Sequence, residues 1–465
     1  MEVGVNYKLY DDQANLKNEG EAKATLDEQY LTLAVMFGEP MLFAYSDIVE
    51  ISDNDYKVDL FLTSKEKLNL WGLGYQYEDF LFQLYRLRNE LMLKYLLMQE
   101  SLIQGGFEAQ YTKQDTKGQA IQTGNCEIRI YDTAVVILPQ KSEPIRLPYC
   151  YITNLSKQDY KLMITNEFQE KTELTRLGQN FDPLAKAMSE AINKMITRTQ
   201  QNVKQLIPEA NPIVIGKIAN LMKDGRAAKR KDIEQQSTDF WRRLTKRIDE
   251  AGLTAEYEFL NSLAAKDQVC VGMKRGLMGE QTGTYTWMLF PLLTPGTNRL
   301  SNTIALEAFN NEETNEKTKQ EAENSNLEME SETEQNTGKE QTPATTGATY
   351  LFRATGRKEY PQTTDADLAV KLDNFIKNIN RSMIEINFRR EPIYLTDYQL
   401  ESSEYTQYRF AVAKIPSLKT LRDLFIGRVF HISQEQWKTD VSSLLTFNAK
   451  IIDDSEKWSK RGEEQ

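Results

Sequence analysis

Two stretches of this 465-residue chain open a helical pattern with the same phrase. Residues 70–91 read LWGLGYQYEDFLFQLYRLRNEL, and residues 174–195 read LTRLGQNFDPLAKAMSEAINKM. A shift of 104 residues places Gly178 on Gly74. The same shift carries Glu39-Pro40 onto Glu143-Pro144, Tyr45 onto Tyr149, Asp55-Tyr56-Lys57 onto Asp159-Tyr160-Lys161, and Asn89 onto Asn193. The register holds without a gap from about residue 30 to about residue 95. An ungapped match of this length marks a tandem duplication, which constrains the fold because both copies must satisfy one architecture.

Each copy presents its segments in the same order. Copy one offers YLTLAVMF, MLFAYSDIVEI, YKVDLFL and KLNLWGL; copy two offers CEIRIYD, AVVILP, IRLPYCYI, YKLMITN and KTELTRL. These β-branched and aromatic runs have strand length and are separated by turn residues. One amphipathic helix follows. Tyr77, Phe80, Leu84, Leu87 and Leu91 recur at helical steps in copy one, as do Phe181, Leu184, Met188, Ile192 and Met195 in copy two. The glycine of L-x-x-L-G suits a tight strand-to-helix turn. The acidic Glu78, Asp79 and Asp182 fall in the first helical turn, where the helix dipole favours them.

Several antiparallel strands followed by one C-terminal helix, written twice with D-Y-K and L-G-x-x-[FY] phrases, resemble bacterial tandem pleckstrin-homology-like proteins of unknown function. The resemblance covers roughly residues 20–200. It implies an α+β fold of small bent β-barrels, each closed by a C-terminal helix, and an open groove between helix and sheet edge where peptides bind.

Beyond the duplication, residues 210–265 read as short helices with turns at Asp224-Gly225 and Gly252, and with Ser237 or Thr238 as a helix cap. Strand-like runs return after residue 268. A helix then carries Leu368, Leu372, Phe375, Ile379 and Met383 at helical spacing. The tail adds an apolar run, YRFAVAKI, read as a strand, and helical stretches around LKTLRDLFI and QEQWKTDVSSLL. Residues 311–340 hold ten acids, three bases and almost no large apolar residue, so the tract 311–346 reads as a disordered acidic insertion. The expected domains are 1–104 and 105–205 for the two copies and 206–266 for a basic all-helical connector. Residues 267–465 are expected to form a third pleckstrin-homology-like or related α+β domain interrupted at 311–346.

The net charge of -11 and pI of about 5.1 argue against a protein that coats nucleic acid or anionic membrane along its whole surface. Cys126, Cys150 and Cys270 lie far apart, without the spacing of a zinc site or disulfide framework. The start, MEVGVNYKLYDDQ, does not read as a secretory leader, and the apolar run WMLFPLL is too short to span a bilayer. The expectation is a soluble, cytoplasmic protein.

No G-x-S-x-G, H-E-x-x-H or Walker motif occurs. GLMGEQTG at 276–283 lacks the Walker lysine and reads as a turn. His431 has no ligand-type neighbour and reads as structural. No catalytic, cofactor or metal residues are assigned, and no small-molecule substrate is inferred. The preferred reading is a non-catalytic adaptor or scaffold that binds a protein partner, with Tyr75 and Tyr85 as exposed aromatic anchors. The alternative is nucleic-acid binding through the connector, by Lys229, Arg230, Lys231, Arg242, Arg243, Lys246 and Arg247, with Trp241 available for stacking. Interleaved acids such as Asp239 and Glu250 point instead to a solvated helix face with local ion pairs. Lipid recognition needs clustered bases in the early strands, and Lys8, Lys17, Lys23, Lys113, Lys117 and Arg129 are scattered. An enzyme with its site between domains is a third reading.

Overall fold

The computed structural model describes residues 1–36, 38–98, 100–275, 284–293, 301–310, 347–353, 365–431 and 433–449. The acidic tract 311–346 and the glycine-rich stretch 276–283 lie outside these residues. The chain forms two compact units. One comprises Met1–Met195 with Glu385–Pro416, the other Ile196–Ile384 with Ser417–Gln465.

The first unit is α+β and holds both copies of the duplication as far as Met195, partway along the second helix. Copy one forms β1 (Glu2–Tyr10), β2 (Leu16–Leu26), β3 (Tyr30–Val35), β4 (Met41–Ala44), β5 (Ile48–Asn54), β6 (Lys57–Leu62) and β7 (Lys67–Trp71), then helix α1 (Tyr77–Leu96). Copy two forms β8 (Leu102–Gln114), β9 (Ala120–Tyr131), β10 (Ala134–Pro139), β11 (Ile145–Pro148), β12 (Ile152–Gln158), β13 (Lys161–Asn166) and β14 (Lys171–Thr175), then α2 (Phe181–Leu206). Both sheets are seven-stranded, and their orders, β4-β3-β2-β1-β7-β6-β5 and β11-β10-β9-β8-β14-β13-β12, are the same.

That order forces curvature. β4 and β5 lie at opposite edges, yet only Tyr45–Asp47 separates them. Three linking residues reach about 14 Å, whereas a flat seven-stranded sheet is about 29 Å across. Each sheet therefore curls into a half-barrel. The corner is pinned by Tyr45, whose buried hydroxyl donates to the carbonyls of Asp27 and Tyr30 at 2.9 and 3.0 Å. Tyr149, its equivalent, donates to the carbonyl of Tyr131 at 3.1 Å.

The repeated phrases mark unusual backbone. Gly74 and Gly178 have φ of 55° and 53°, the left-handed region that glycine enters at least cost. Asp55-Tyr56 and Asp159-Tyr160 also have positive φ, as a two-residue type I′ hairpin loop requires. Each turn tyrosine packs edge-on against the first residue of the following helix, Tyr56 on Tyr77 at 5.3 Å and Tyr160 on Phe181 at 5.9 Å. In copy one, Phe80, Leu81 and Leu84 of α1 share a core with Val5, Leu33, Val58 and Leu70.

Four expectations change: the connector is not all-helical, because Ala228–Lys229 forms a short strand paired with Val271 and Cys270. β1, β2 and β8 were not read as strands; β2 begins with six exposed residues and β8 with five, which hides their alternation. MLFAYSDIVEI and IRLPYCYI each contain two strands rather than one. YRFAVAKI belongs to the helix Thr406–Lys414, not a strand; its buried Tyr408, Ala411 and Ile415 fall at helical steps, and Tyr95 of α1 packs on Phe410 at 6.0 Å.

The second unit carries a six-stranded antiparallel sheet: β15 (Ala228–Lys229), β16 (Cys270–Arg275), β17 (Thr284–Leu293), β18 (Ser301–Asn310), β19 (Gly347–Arg353) and β20 (Phe425–Phe430). These strands pair in simple chain order, unlike the order shared by the two copies. The helix Asp365–Glu385 buries Leu372, Phe375, Ile379 and Met383. Ser237 caps the helix Thr238–Glu250, accepting from the Phe240 amide.

Candidate functional site

The basic connector is largely neutralised by acids, most of them its own. Arg242 and Arg243 both pair with Asp239, Lys246 with Glu250, Arg230 with Glu234, and Lys229 with Asp373. Lys231 is exposed. Arg247 lies on the same helix, Thr238–Glu250, as Arg242 and Arg243. Trp241 is only 4% exposed and sits under the Arg230 guanidinium, so its ring is not presented for base stacking.

The two tyrosines part company. Tyr75 is fully exposed at the turn before α1. Tyr85 is buried, and its hydroxyl donates to the Ile51 carbonyl at 3.1 Å. This corrects its reading as a surface anchor: the buried face of α1 is wider than the five-residue stripe and takes in Tyr85, Arg88 and Asn89. Burial pushes the Tyr85 phenol up to about 12.

Arg88 forms the joint between the copies. Its side chain is completely buried, with Nε donating to the Ile48 carbonyl at 3.0 Å and Nη2 to the Val49 carbonyl at 2.6 Å and Glu143 at 3.0 Å. Burial pulls its pKa down, while Glu143 opposes that shift. Lys414 meets the same Val49 carbonyl and Glu143 carboxylate, and Arg409 pairs with Asp47. Asn89 donates from Nδ2 to the Ser142 carbonyl at 2.7 Å. Thus α1 of copy one grips the Ser-Glu-Pro turn of copy two. A charged residue inside an apolar helical stripe was the available sequence signal for Arg88.

Beside this joint a cleft of about 310 Å³ opens between α1 and strands β8, β9 and β10. Phe82, Arg86, Asn89 and Glu90 form one wall, and Glu108, Cys126, Glu127 and Arg129 stand on the other. Arg129 donates to both oxygens of Glu90, at 2.8 and 2.7 Å, and to both oxygens of Glu127, at 2.8 and 3.0 Å. Those bonds from Arg129 hold the Glu127 carboxyl below its usual range and raise the Arg129 pKa. Glu108 faces Glu127 directly across the β8–β9 pair. Cys126 is nearly enclosed, and burial pushes its thiol up to about 12, which keeps it protonated and a poor nucleophile. Sequence reading named Arg129 only as a scattered base and missed the rest, because the grouping depends on strand register.

In the second unit, His431 Nε2 lies 2.9 Å from Thr349 Oγ1, which also accepts from Trp437 Nε1 at 3.0 Å. Nδ1 stands 4.0 Å from the buried Glu256 carboxylate. The carboxylate, imidazole and hydroxyl follow one another as in a nucleophile triad, but Thr349 is sealed from solvent. Burial lowers the His431 pKa to about 4, so the ring is neutral near pH 7. Cys150 and Cys270 are buried and form no disulfide.

Among the described residues, no group of three or more His, Cys, Asp or Glu is placed to hold a metal ion, and no helix is long and apolar enough to cross a membrane. No protein-family model matches this chain, and no curated protein is significantly similar to it.

Proposed function

We propose that the protein is a non-catalytic cytoplasmic adaptor or scaffold. In this reading its two repeats are pleckstrin-homology-like domains, each closed by its C-terminal helix, that bind a protein partner. The observation that carries the reading is the cleft at the joint, whose walls come from α1 of one repeat and the sheet of the next. A site built by pairing two repeats gives a reason for their being joined by the buried Arg88. The three lysines of the first strands of repeat one are already engaged: Lys8 with Glu19, Lys17 with Glu66, Lys23 with Glu2. That favours a protein partner over a lipid surface.

The test is an affinity pulldown of the tagged full chain from its own cells, with and without nuclease, at low and high salt. A discrete protein that persists through nuclease and salt is the expected result. Nucleic acid recovered at low salt, lost at high salt and lost on charge reversal at Arg242 and Arg243 would replace this reading with binding through the connector.

A further inference from the structure

We infer that the cleft between α1 and the second sheet is an acceptor-rich socket for one lysine or arginine side chain of a partner protein; this rests on the adaptor reading above. Three features of the cleft ask for a hydrogen-bond donor that carries positive charge. Asn89 is 0% exposed and lines the cleft; its Nδ2 is used by Ser142, and its Oδ1 accepts nothing among the described residues. A buried amide oxygen without a donor is costly, and a ligand N–H would remove that cost. Glu108 and Glu127 stand directly opposite on neighbouring strands, a like-charge arrangement that destabilises a sheet unless a cation intervenes. Arg129 serves Glu127 and Glu90, but no cation among the described residues pairs with Glu108.

The rest of the cleft fits the same ligand. Phe82, 36% exposed, offers a ring against which an alkyl stem or guanidinium packs. An anion finds little here, because Arg129 is already closed by four hydrogen bonds to carboxylates. Arg86, exposed and without an ion pair among the described residues, is the one cationic wall residue left, and it would repel a basic ligand. Its removal therefore has opposite effects on cations and anions, which makes it the diagnostic position.

The test is ligand-observed saturation-transfer NMR on the full chain, with blocked arginine (N-acetyl-arginine methylamide), blocked lysine, blocked citrulline and blocked aspartate as probes. Arginine and lysine should bind, while citrulline and aspartate should not. Glu108→Gln should weaken arginine binding about threefold to fivefold, and Arg86→Gln should strengthen it by a similar factor. Aspartate binding that is lost in Arg86→Gln, or no binding by either basic probe, would overturn the assignment. In the pulldown, a partner retained equally by wild type and Glu108→Gln would overturn the socket and leave the adaptor reading intact. Arginine binding without any retrievable partner would sink the adaptor reading and the partner's place in this proposal, leaving only the cleft's preference for cations.

Discussion

The two repeats share a strand order, a pinned corner, a left-handed glycine and a strained Asp-Tyr turn, yet they differ at the middle of the helix. Tyr85, Arg88 and Asn89 of α1 are all buried, whereas their equivalents in α2 are Ser189, Ile192 and Asn193. Asn193 keeps the residue type of Asn89 but is exposed. The retained residues are those whose backbone angles or corner hydrogen bonds define one repeat. Of the divergent ones, Arg88 sits where copy one meets copy two, while Tyr85 bonds Ile51 within copy one. At the joint, the repeats share Glu39 with Glu143 and Asn89 with Asn193, and differ at Arg88, where copy two has Ile192.

The strongest way to break this comparison is to write the second repeat's residue into the first. Arg88→Ile leaves the Ile48 carbonyl without its buried donor, and leaves the Val49 carbonyl and Glu143 to Lys414 alone. It should cost about 2–3 kcal/mol, mostly from the orphaned Ile48 carbonyl. Ile192→Ala, at a half-buried site, should cost about 1 kcal/mol. Urea unfolding with hydrogen exchange read at β5 and β12 checks both, and equal losses would erase the distinction.

Acid separates the third sheet from both repeats. His431 titrates near 6.5 when unfolded and about 4 when folded, so the unfolded chain takes the proton first as pH falls. Stability of the second unit should decline between pH 6.5 and 4, by on the order of 3 kcal/mol at the lower end. His431→Gln should flatten the decline between pH 6.5 and 5, above the range where carboxylates dominate. An unchanged slope in that variant would remove His431 as the cause.

Gly74→Ala and Gly178→Ala sharpen the likeness instead. No atom lies within 4 Å of an added Cβ at either site, so only backbone strain remains. Each should lose about 1 kcal/mol, and the two should agree within a few tenths. The smallest effect is expected at the hairpin tips. Tyr56→Ala and Tyr160→Ala should each lose about 0.5 kcal/mol with the edge-on ring contact. A large asymmetry in either pair would mean that the repeats are less equivalent than their backbones.

Features written in local backbone were legible in the sequence: the L-x-x-L-G turn, the Ser237 cap and the stripe of Leu372, Phe375, Ile379 and Met383; the Asp-Tyr loop was not, since Tyr56 and Tyr160 read as the first residues of strands. The first hairpin was missed although Asp115 repeats Asp11, and each aspartate accepts two amides of its turn. The polar arms of that hairpin hid the signal. The joint was not legible, because Arg88 meets Val49 and Glu143, and Lys414 meets the same two groups across hundreds of residues. The cleft depends on Glu108 falling opposite Glu127, a matter of register that no spacing in the sequence announces.

The first unit takes residues 385–416 from far along the chain, and this sets an order of events during synthesis. At ordinary ribosomal speeds, the interval between completing residue 195 and residue 416 is about 10–45 s. Throughout it, the face of α1 around Tyr95 and Leu97 waits for Phe410 and Asn387 with its apolar surface uncovered. The first unit is therefore completed only after most of the second has been made, in a way that a chain of consecutive domains is not.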